Sequence, residues 1–598
     1  EDLICRRLDV RRLSPAVAHF IQDKGEGNPF FSEEVAYALR DAGLIEIVDG
    51  EGRLKSGTDG LEAIDFPNTI QGIITSRIDL LPPQQQLTVR VASVIGRIFA
   101  YRLLRDVFPG SVDENLLHLS LDALERLDIT PLETPAPNLA YIFKHIVTRE
   151  VVYDLMTFAQ RQQLHQSVAQ WLETAGEGSD ARSAPLLAHH WHRADDPDRA
   201  LVYYGRAGES AFRDFANQEA LRFLSQAVEM AGGRYPTSRV ACWQRLMGEA
   251  AYRLTLMERS KAHYRAALEL GARPRPGSAG SNVVGLTREI VRQAVNRLGP
   301  RRKAPITAED RAALLEASRA YDGIAEVFYN EGDLLASFRC VMAALNLADQ
   351  AGPSPELARG YANMVATLGT ASLHSLAEGY RTRAIRLAAD LNDRSTTAGI
   401  QVPLSTYSLW IGAWDRAEEE ISQATAIYSE LGEWRQWGIV AWLWPQVVES
   451  RGELVRARDL WANLTTVAKR ARDTRHEVRG RGGQFFNYVA LGLPDEAAAE
   501  AAAVGAALDD NPEMGLVEDR LWHGIRAAQA LVAGDWPVAR VAAHEQLAAI
   551  GRARFKFDLL EVFAGPADVL LTLAERGEAA ADEAHQGYKV LNGYARTY

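Results

Sequence analysis

"GAWDRAEEEI" (residues 412–421) and "GELVRARDLW" (residues 452–461) share one plan, a glycine followed five residues later by an alanine, Ala417 and Ala457. The same spacing recurs at Gly332/Ser337, Gly492/Ala497 and Gly534/Ala539, and Ser372/Ala377 fills the remaining place. The period is 40 residues from 332 to 492, and the last step, to 534, is 42. A glycine can end a helix in a left-handed cap, and a small residue lets the next helix close in on the one before it. The pattern therefore predicts antiparallel helix pairs, stacked unit on unit from about residue 157 onward into a right-handed superhelix.

Aromatic residues recur within these units, as in "AYDGIAEVFYNEGD" (320–333), "STYSLWIGAWDRA" (405–417) and "VAWLWPQVVESRGE" (440–453). This resembles tetratricopeptide repeats in a variant longer than the usual ~34 residues. More divergent units begin at "DPDRALVYYGRAGESA" (196–211), "NQEALRFLSQAVEMA" (217–231) and "MERSKAHYRAALELG" (257–271), for about eight or nine in all. The chain stops without a polar capping helix, so the array is expected to continue, or a further domain to follow. A protein or peptide ligand is expected in the concave face.

Residues 273–312 interrupt the array with a Pro/Gly-rich linker around a short basic helix. Leu286, Ile290, Ala294 and Leu298 form its expected apolar face, and Arg288, Arg292, Arg297, Arg301, Arg302 and Lys303 supply charge. Such a helix either docks on a membrane surface or partner, or lies on the solenoid.

Before the repeats the order differs. Residues 1–43 read as helices, and "LIEIVDGEGRLKS" (44–56) reads as strand, Asp-Gly turn and strand within a connector spanning 44–66. From 67 to 156 helices are expected over 68–80, 83–95, 100–107 and 113–127, followed by a hairpin from "ITPLE" and "LAYIF". That order makes a winged helix. The helix that would enter DNA carries Asp113, Glu114, Asp122, Glu125 and Asp128 against Arg126 alone, and phosphates would repel it. The fold class is therefore mainly α: a helical lid and winged helix, a first repeat block (157–272), the linker (273–312), and a second block (313–598).

With 598 residues the chain exceeds what one core supports, and its net charge of −12, from 66 Lys+Arg and 78 Asp+Glu, disfavours broad attraction to nucleic acid. Cys5, Cys242 and Cys340 fit neither a disulfide framework nor a metal set, which suggests a reducing cytoplasm. No stretch approaches the roughly 18 uncharged apolar residues of a membrane span. The start is charged, lacks a Met and opens inside a helical pattern, so a fragment of a longer polypeptide is expected. No G-x-x-x-x-G-K-[ST], G-x-G-x-x-G, H-E-x-x-H, G-x-S-x-G or C-x-x-C occurs, and no catalytic residue or metal site is assigned. His189, His190 and His192 lack a second ligand cluster and read as repeat packing; Glu33 and Glu34 read as a solvated helix face.

Three segments in order carry a more specific likeness: "GNPFFSEEVAYALRDAGLIEIVDG" (27–50), "FPNTIQGIITSRIDLLPPQQQLTVRVASVIGRIF" (66–99) and "FKHIVTREVVYDLMTFAQRQQLHQSVAQWLE" (143–173). They resemble bacterial multidomain signalling ATPases of the signal-transduction (STAND) type. These join a class III adenylate/guanylate cyclase domain to a P-loop ATPase module and tetratricopeptide repeats; some relatives carry a kinase or helix-turn-helix output instead. The resemblance is dense over 16–175 and elsewhere concerns repeat architecture only. It implies a P-loop domain, and a cyclase, upstream of residue 1, with ATP/ADP and Mg bound in the intact protein and none by this chain alone.

The resemblance also implies site residues. A lid turn in such ATPases packs its Pro on the adenine, and Gly27-Asn28-Pro29 occupies the matching place; a plain interhelical turn is the competing reading. His145 matches the His of a Met-His-Asp motif whose imidazole contacts the β-phosphate of ADP, although Lys144 and Ile146 replace its neighbours. A structural His is the alternative there. Three functions follow: the regulatory half of an ATPase-gated cyclase, a transcriptional regulator on the same core, or a stand-alone repeat scaffold.

Overall fold

The computed structural model describes residues 2–25, 27–55, 69–110, 113–174, 181–233, 235–254, 256–274, 276–277, 279–298, 306–331, 333–471, 473–510, 516–552, 560–579 and 581–595. They form two compact units, residues 1–210 and 211–598.

In the first unit, helix Pro15–Gly25 is followed by helix Pro29–Asp41, whose N-terminus is set by its own sequence. Pro29 opens the helix, where its missing N–H costs nothing, and Asn28 Oδ1 accepts from the Phe30 and Phe31 amides at 3.0 and 3.3 Å. Gly25 brings the two helices together, since a Cβ there would lie 2.2 Å from Ser32 Oγ. Strands Ile45–Val48 and Glu51–Leu54 pair antiparallel about Asp49 and Gly50, both at positive φ as a tight hairpin turn requires. Arg12–Leu13 adds a parallel edge that alternation did not disclose. The part of the connector at 56–66 lies outside the described residues, as do 67 and 68.

Helices Ile70–Asp79, Pro83–Ile95, Tyr101–Asp106 and Glu114–Arg126 follow within a few residues of the expected bounds. Strands Leu132–Thr134 and Ala140–Ile142 make the hairpin. A third strand, Ile98–Ala100, pairs with Ala140–Ile142 and lay hidden at the start of the expected 100–107 helix. Phe99, Tyr141 and Phe143 pack together beneath the sheet.

The second unit is a tetratricopeptide-like helical solenoid. Helix pairs such as Arg394–Trp410 with Trp414–Leu431, and Thr474–Ala490 with Pro494–Asp509, pack side by side along their length. The sequence register is visible in the backbone. Ser372, Gly412, Gly452, Gly492 and Gly534 all take left-handed φ, between 57° and 79°. Ala377, Ala417, Ala457, Ala497 and Ala539, five residues on, are all buried. Gly332 lies outside the described residues, but Ser337 keeps its buried place. The same geometry appears without glycine at Asp195 and Phe215, both left-handed, followed by buried Ala200 and Ala220.

Helix Ala279–Leu298 lies on the solenoid, but not by the face its sequence suggested. Ile290 and Ala294 are exposed, Leu286 is half-buried, and the Leu298 side chain lies outside the described residues, as do Arg301, Arg302 and Lys303. Asn282, Glu289 and Gln293 are buried instead, because the solenoid offers them partners. Arg339 Nη1 donates to Asn282 Oδ1 at 2.7 Å, and Asn346 Nδ2 donates to the Glu289 carbonyl and carboxylate, each at 2.9 Å.

Candidate functional site

Gly27 takes a left-handed φ of 77°, a region that favours glycine, and it turns the chain into Asn28 and Pro29. Pro29 is exposed. His145 stands at the N-cap of helix Ile146–Asp154, yet its side chain makes no capping bond. It reaches back to helix Pro29–Asp41 instead, and its ring lies on Phe30 with centroids 4.1 Å apart. The two sequence-predicted elements therefore meet through Phe30, which sequence reasoning passed over; its signal was the aromatic pair placed directly after the Pro.

Beneath this contact, Glu33 and Glu34 are buried rather than solvated, because arginines wait for them. Arg7 Nε donates to Glu33 Oε1 at 3.2 Å, and Arg77 Nη1 to Glu34 Oε2 at 2.7 Å. Arg77 also donates to Asp41 Oδ2 and to the Leu127 carbonyl, both at 2.9 Å, which ties helix Pro29–Asp41 to the end of helix Glu114–Arg126. The carboxylates raise the Arg77 pKa despite its burial. Tyr37 OH donates to Asp128 Oδ2 at 2.7 Å, and Lys144 donates to Tyr37 OH at 3.0 Å and pairs with Asp128. Asp128, counted from sequence with the acids of helix Glu114–Arg126, is instead part of an internal latch.

His145 Nε2 and Glu33 Oε2 lie 3.8 Å apart, both buried, and neither makes a hydrogen bond. Burial, then the charge of Lys144, pushes the His145 pKa down against the pull of Glu33, so the ring is neutral at physiological pH. A neutral imidazole can still donate one N–H. Its neighbour Glu33 is offset by Arg7 and by Lys144 Nζ at 3.5 Å.

The histidine cluster resolves differently. His190 packs against His165, Nδ1 to Nδ1 at 2.8 Å, and Tyr153 OH meets His165 Nε2 at 2.9 Å. One ring must donate and the other accept, so at least one is neutral, and burial lowers the pKa of both. Among the described residues no group of three His, Cys, Asp or Glu is arranged to hold a metal ion. Nor is any helix among them long and apolar enough to cross a membrane.

The second unit gathers charge on the first helices of its pairs. Tyr252 OH donates to Glu326 Oε1 at 2.9 Å, Asn363 to Asp322 at 2.8 Å, and Arg245 pairs with Glu316. Arg475 lies 5.8 Å from the Tyr252 ring, so helices Thr237–Arg253 and Thr474–Ala490 approach each other across this face despite their separation in sequence. Arg435 stands in the same region without an ion pair among the described residues; burial, then Arg253, lowers its pKa against the pull of Asp473 and Glu326.

Residues 1–53 match a family described as "Domain of unknown function (DUF8739)". A curated protein of Rhizobium meliloti (strain 1021), "Uncharacterized protein R02095", is 26% identical over 175 residues, 28% of this chain, and the match spans only 16% of that relative. Among solved structures, the chain is similar to the signal transduction ATPase with numerous domains (STAND) protein PH0952 of Pyrococcus horikoshii, which has a tetratricopeptide repeat sensor. That likeness has 12% identity and a TM-score of 0.37, over 98% of this chain and 73% of that one. It is also similar to aspartyl phosphate phosphatase F of Bacillus subtilis, with 11% identity and a TM-score of 0.33, over 81% of this chain and 94% of that one.

Proposed function

We propose that this chain is the regulatory and partner-sensing portion of an ATPase-gated signalling protein, whose output is an adenylate/guanylate cyclase domain outside the chain. The observation that carries the reading is the meeting of the Gly27-Asn28-Pro29 turn with His145 through Phe30, with the His145 Nε2 left unbonded. Residues 67–156 are read as a winged helix that closes on the lid. An exposed Pro29 offers a flat apolar surface to adenine, and the free imidazole N–H can donate to a phosphate oxygen; the residues present therefore fit ADP or ATP.

Phosphoryl transfer itself belongs to a P-loop domain and its Mg-bound nucleotide. This chain's residues do other work. Arg77 and the Tyr37–Asp128–Lys144 latch fix the lid helix, so Pro29 and His145 keep one spacing. The solenoid supplies the sensing surface, where Arg435 makes no ion pair among the described residues and can take an acidic side chain of a protein ligand. Partner binding there would bias the closed, nucleotide-holding form against an open one.

The test uses the intact protein with its P-loop region. Photo-crosslinking with an azido-adenine nucleotide should label the peptide that contains Pro29. Labelling confined to other segments, or an intact protein with no P-loop sequence, would refute the assignment.

A further inference from the structure

Helix Ala279–Leu298 is built inside out. Asn282 and Gln293, 1% and 5% exposed, face the solenoid, while Val284 and Val295, 72% and 61% exposed, face water. Projected at about 100° per residue, Ile290, Val283, Ala294, Thr287, Val291, Val284 and Val295 fill some 140° of continuous outward arc. No charged residue interrupts it. The orientation is not a slip of packing. The polar stripe is held by the bonds to Arg339 and Asn346, and Gly285 lets the helix sit directly on the Arg339 side chain, where a Cβ would meet Nε at 2.3 Å.

We infer that this stripe is a docking surface for an amphipathic helix of a partner protein, with an apolar face edged by Glu or Asp. Exposed apolar arcs of this extent on soluble proteins mark interaction sites. The occupant follows from side-chain size and charge. Val, Thr, Ala and Ile make a shallow, even ridge that fits between the side chains of another helix, whereas surface-bound membrane helices present Trp, Phe and Leu for deep insertion. Arg288 and Arg292 border one edge and share the single carboxylate of Glu289, which leaves that edge net positive. Two antiparallel copies face to face would therefore oppose like charges, while an acidic partner would complement that edge.

The experiment uses the full chain and a 21-residue helical peptide with a Leu/Ala face edged by Glu, titrated by fluorescence anisotropy. The same peptide with Lys edges serves as the control. Because Val284 and Val291 point to water, Val284→Gln/Val291→Gln should leave the thermal midpoint unchanged. It should also weaken the acidic peptide about 10-fold or more, and the Lys peptide should bind at least about 10-fold more weakly than the Glu peptide. Equal affinity for both peptides, or an acidic peptide indifferent to the double variant, overturns the assignment. So does stripe-dependent capture by phosphatidylglycerol vesicles without peptide binding, which would make the surface a membrane contact. A stripe-dependent dimer in sedimentation would make it a self-interface.

Discussion

Arg77 Nη1 lies 2.7 Å from Glu34 Oε2, and both side chains are buried between helices Pro29–Asp41 and Ile70–Asp79. A buried pair stabilises little against an apolar replacement of equal volume, but removing one partner leaves a charge without compensation. Arg77→Ala is therefore expected to cost about 3–5 kcal/mol in urea unfolding of the first unit. Arg77→Met combined with Glu34→Leu and Asp41→Asn should recover most of it. Equal losses in the single and combined variants would show that the arginine acts by packing alone.

The repeat register gives a prediction at another scale. Ala417 and Ala457 are fully buried five residues after a left-handed glycine. Phe at either position would overpack the contact and cost about 1–3 kcal/mol. A sharper case is Gly483, where a Cβ would stand 2.4 Å from the ring of Trp461, itself fully buried and tied to Glu449 through Nε1 at 2.9 Å. Gly483→Ala should lower the thermal midpoint as much as the Phe variants do. Unchanged midpoints in all three would mean the helices can separate at no cost.

The solenoid was legible because its determinant is local: a left-handed turn residue and a small residue at fixed spacing. Where the turn is Asp195 or Phe215 the geometry persists and the signal fades, which is why the early units looked divergent. The Ile45–Leu54 hairpin was equally plain from its Asp-Gly turn. Burial of charge was not legible. Glu33 and Glu34 look like any acidic helix face until Arg7 and Arg77, from distant segments, are folded against them. Arg77 did leave a trace, since it stands where the apolar period of Ile73, Ile74 and Ile78 expects a core residue. The insertion helix misled for the converse reason: its apolar stripe was real, and the solenoid took the other side.

The His165–His190 pair predicts an acid sensitivity of the first unit. Burial, then the neighbouring charges of His190, His189, Arg193 and Arg149, pushes His165 down to about 2, and burial with His189 pushes His190 to about 3. Both folded values lie below the ordinary histidine value of 6.5, so the unfolded chain binds more protons between them. Their contribution is fully present above pH ~6.5 and falls with acid by up to about 1.4 kcal/mol per pH unit per histidine. Urea midpoints measured between pH 7.5 and 5.5 should fall less in His165→Phe/His190→Leu than in the wild type. Parallel slopes would assign the acid response to other groups.

His145 yields the prediction that bears on function, in the intact protein with its P-loop domain. If its free Nε2 donates to a phosphate of ADP, His145→Ala removes one hydrogen bond to a charged acceptor, worth about 1.5–3 kcal/mol or roughly 10–150-fold in affinity. The loss is expected in the closed form, taken to be the one in which His145 packs on Phe30. ADP should then leave faster, and resting output should rise without a stimulus. Pro29→Ala touches the base rather than the phosphate and should weaken adenine nucleotides generally, ATP and ADP alike. Phe30→Leu separates the two contributions: it keeps an apolar body beside Pro29 but withdraws the ring that positions the imidazole, so its ADP release should resemble that of His145→Ala while Pro29 still holds the base. Stopped-flow release of a fluorescent ADP gives the rates. Wild-type release and resting output in His145→Ala would leave that residue only its packing against Phe30.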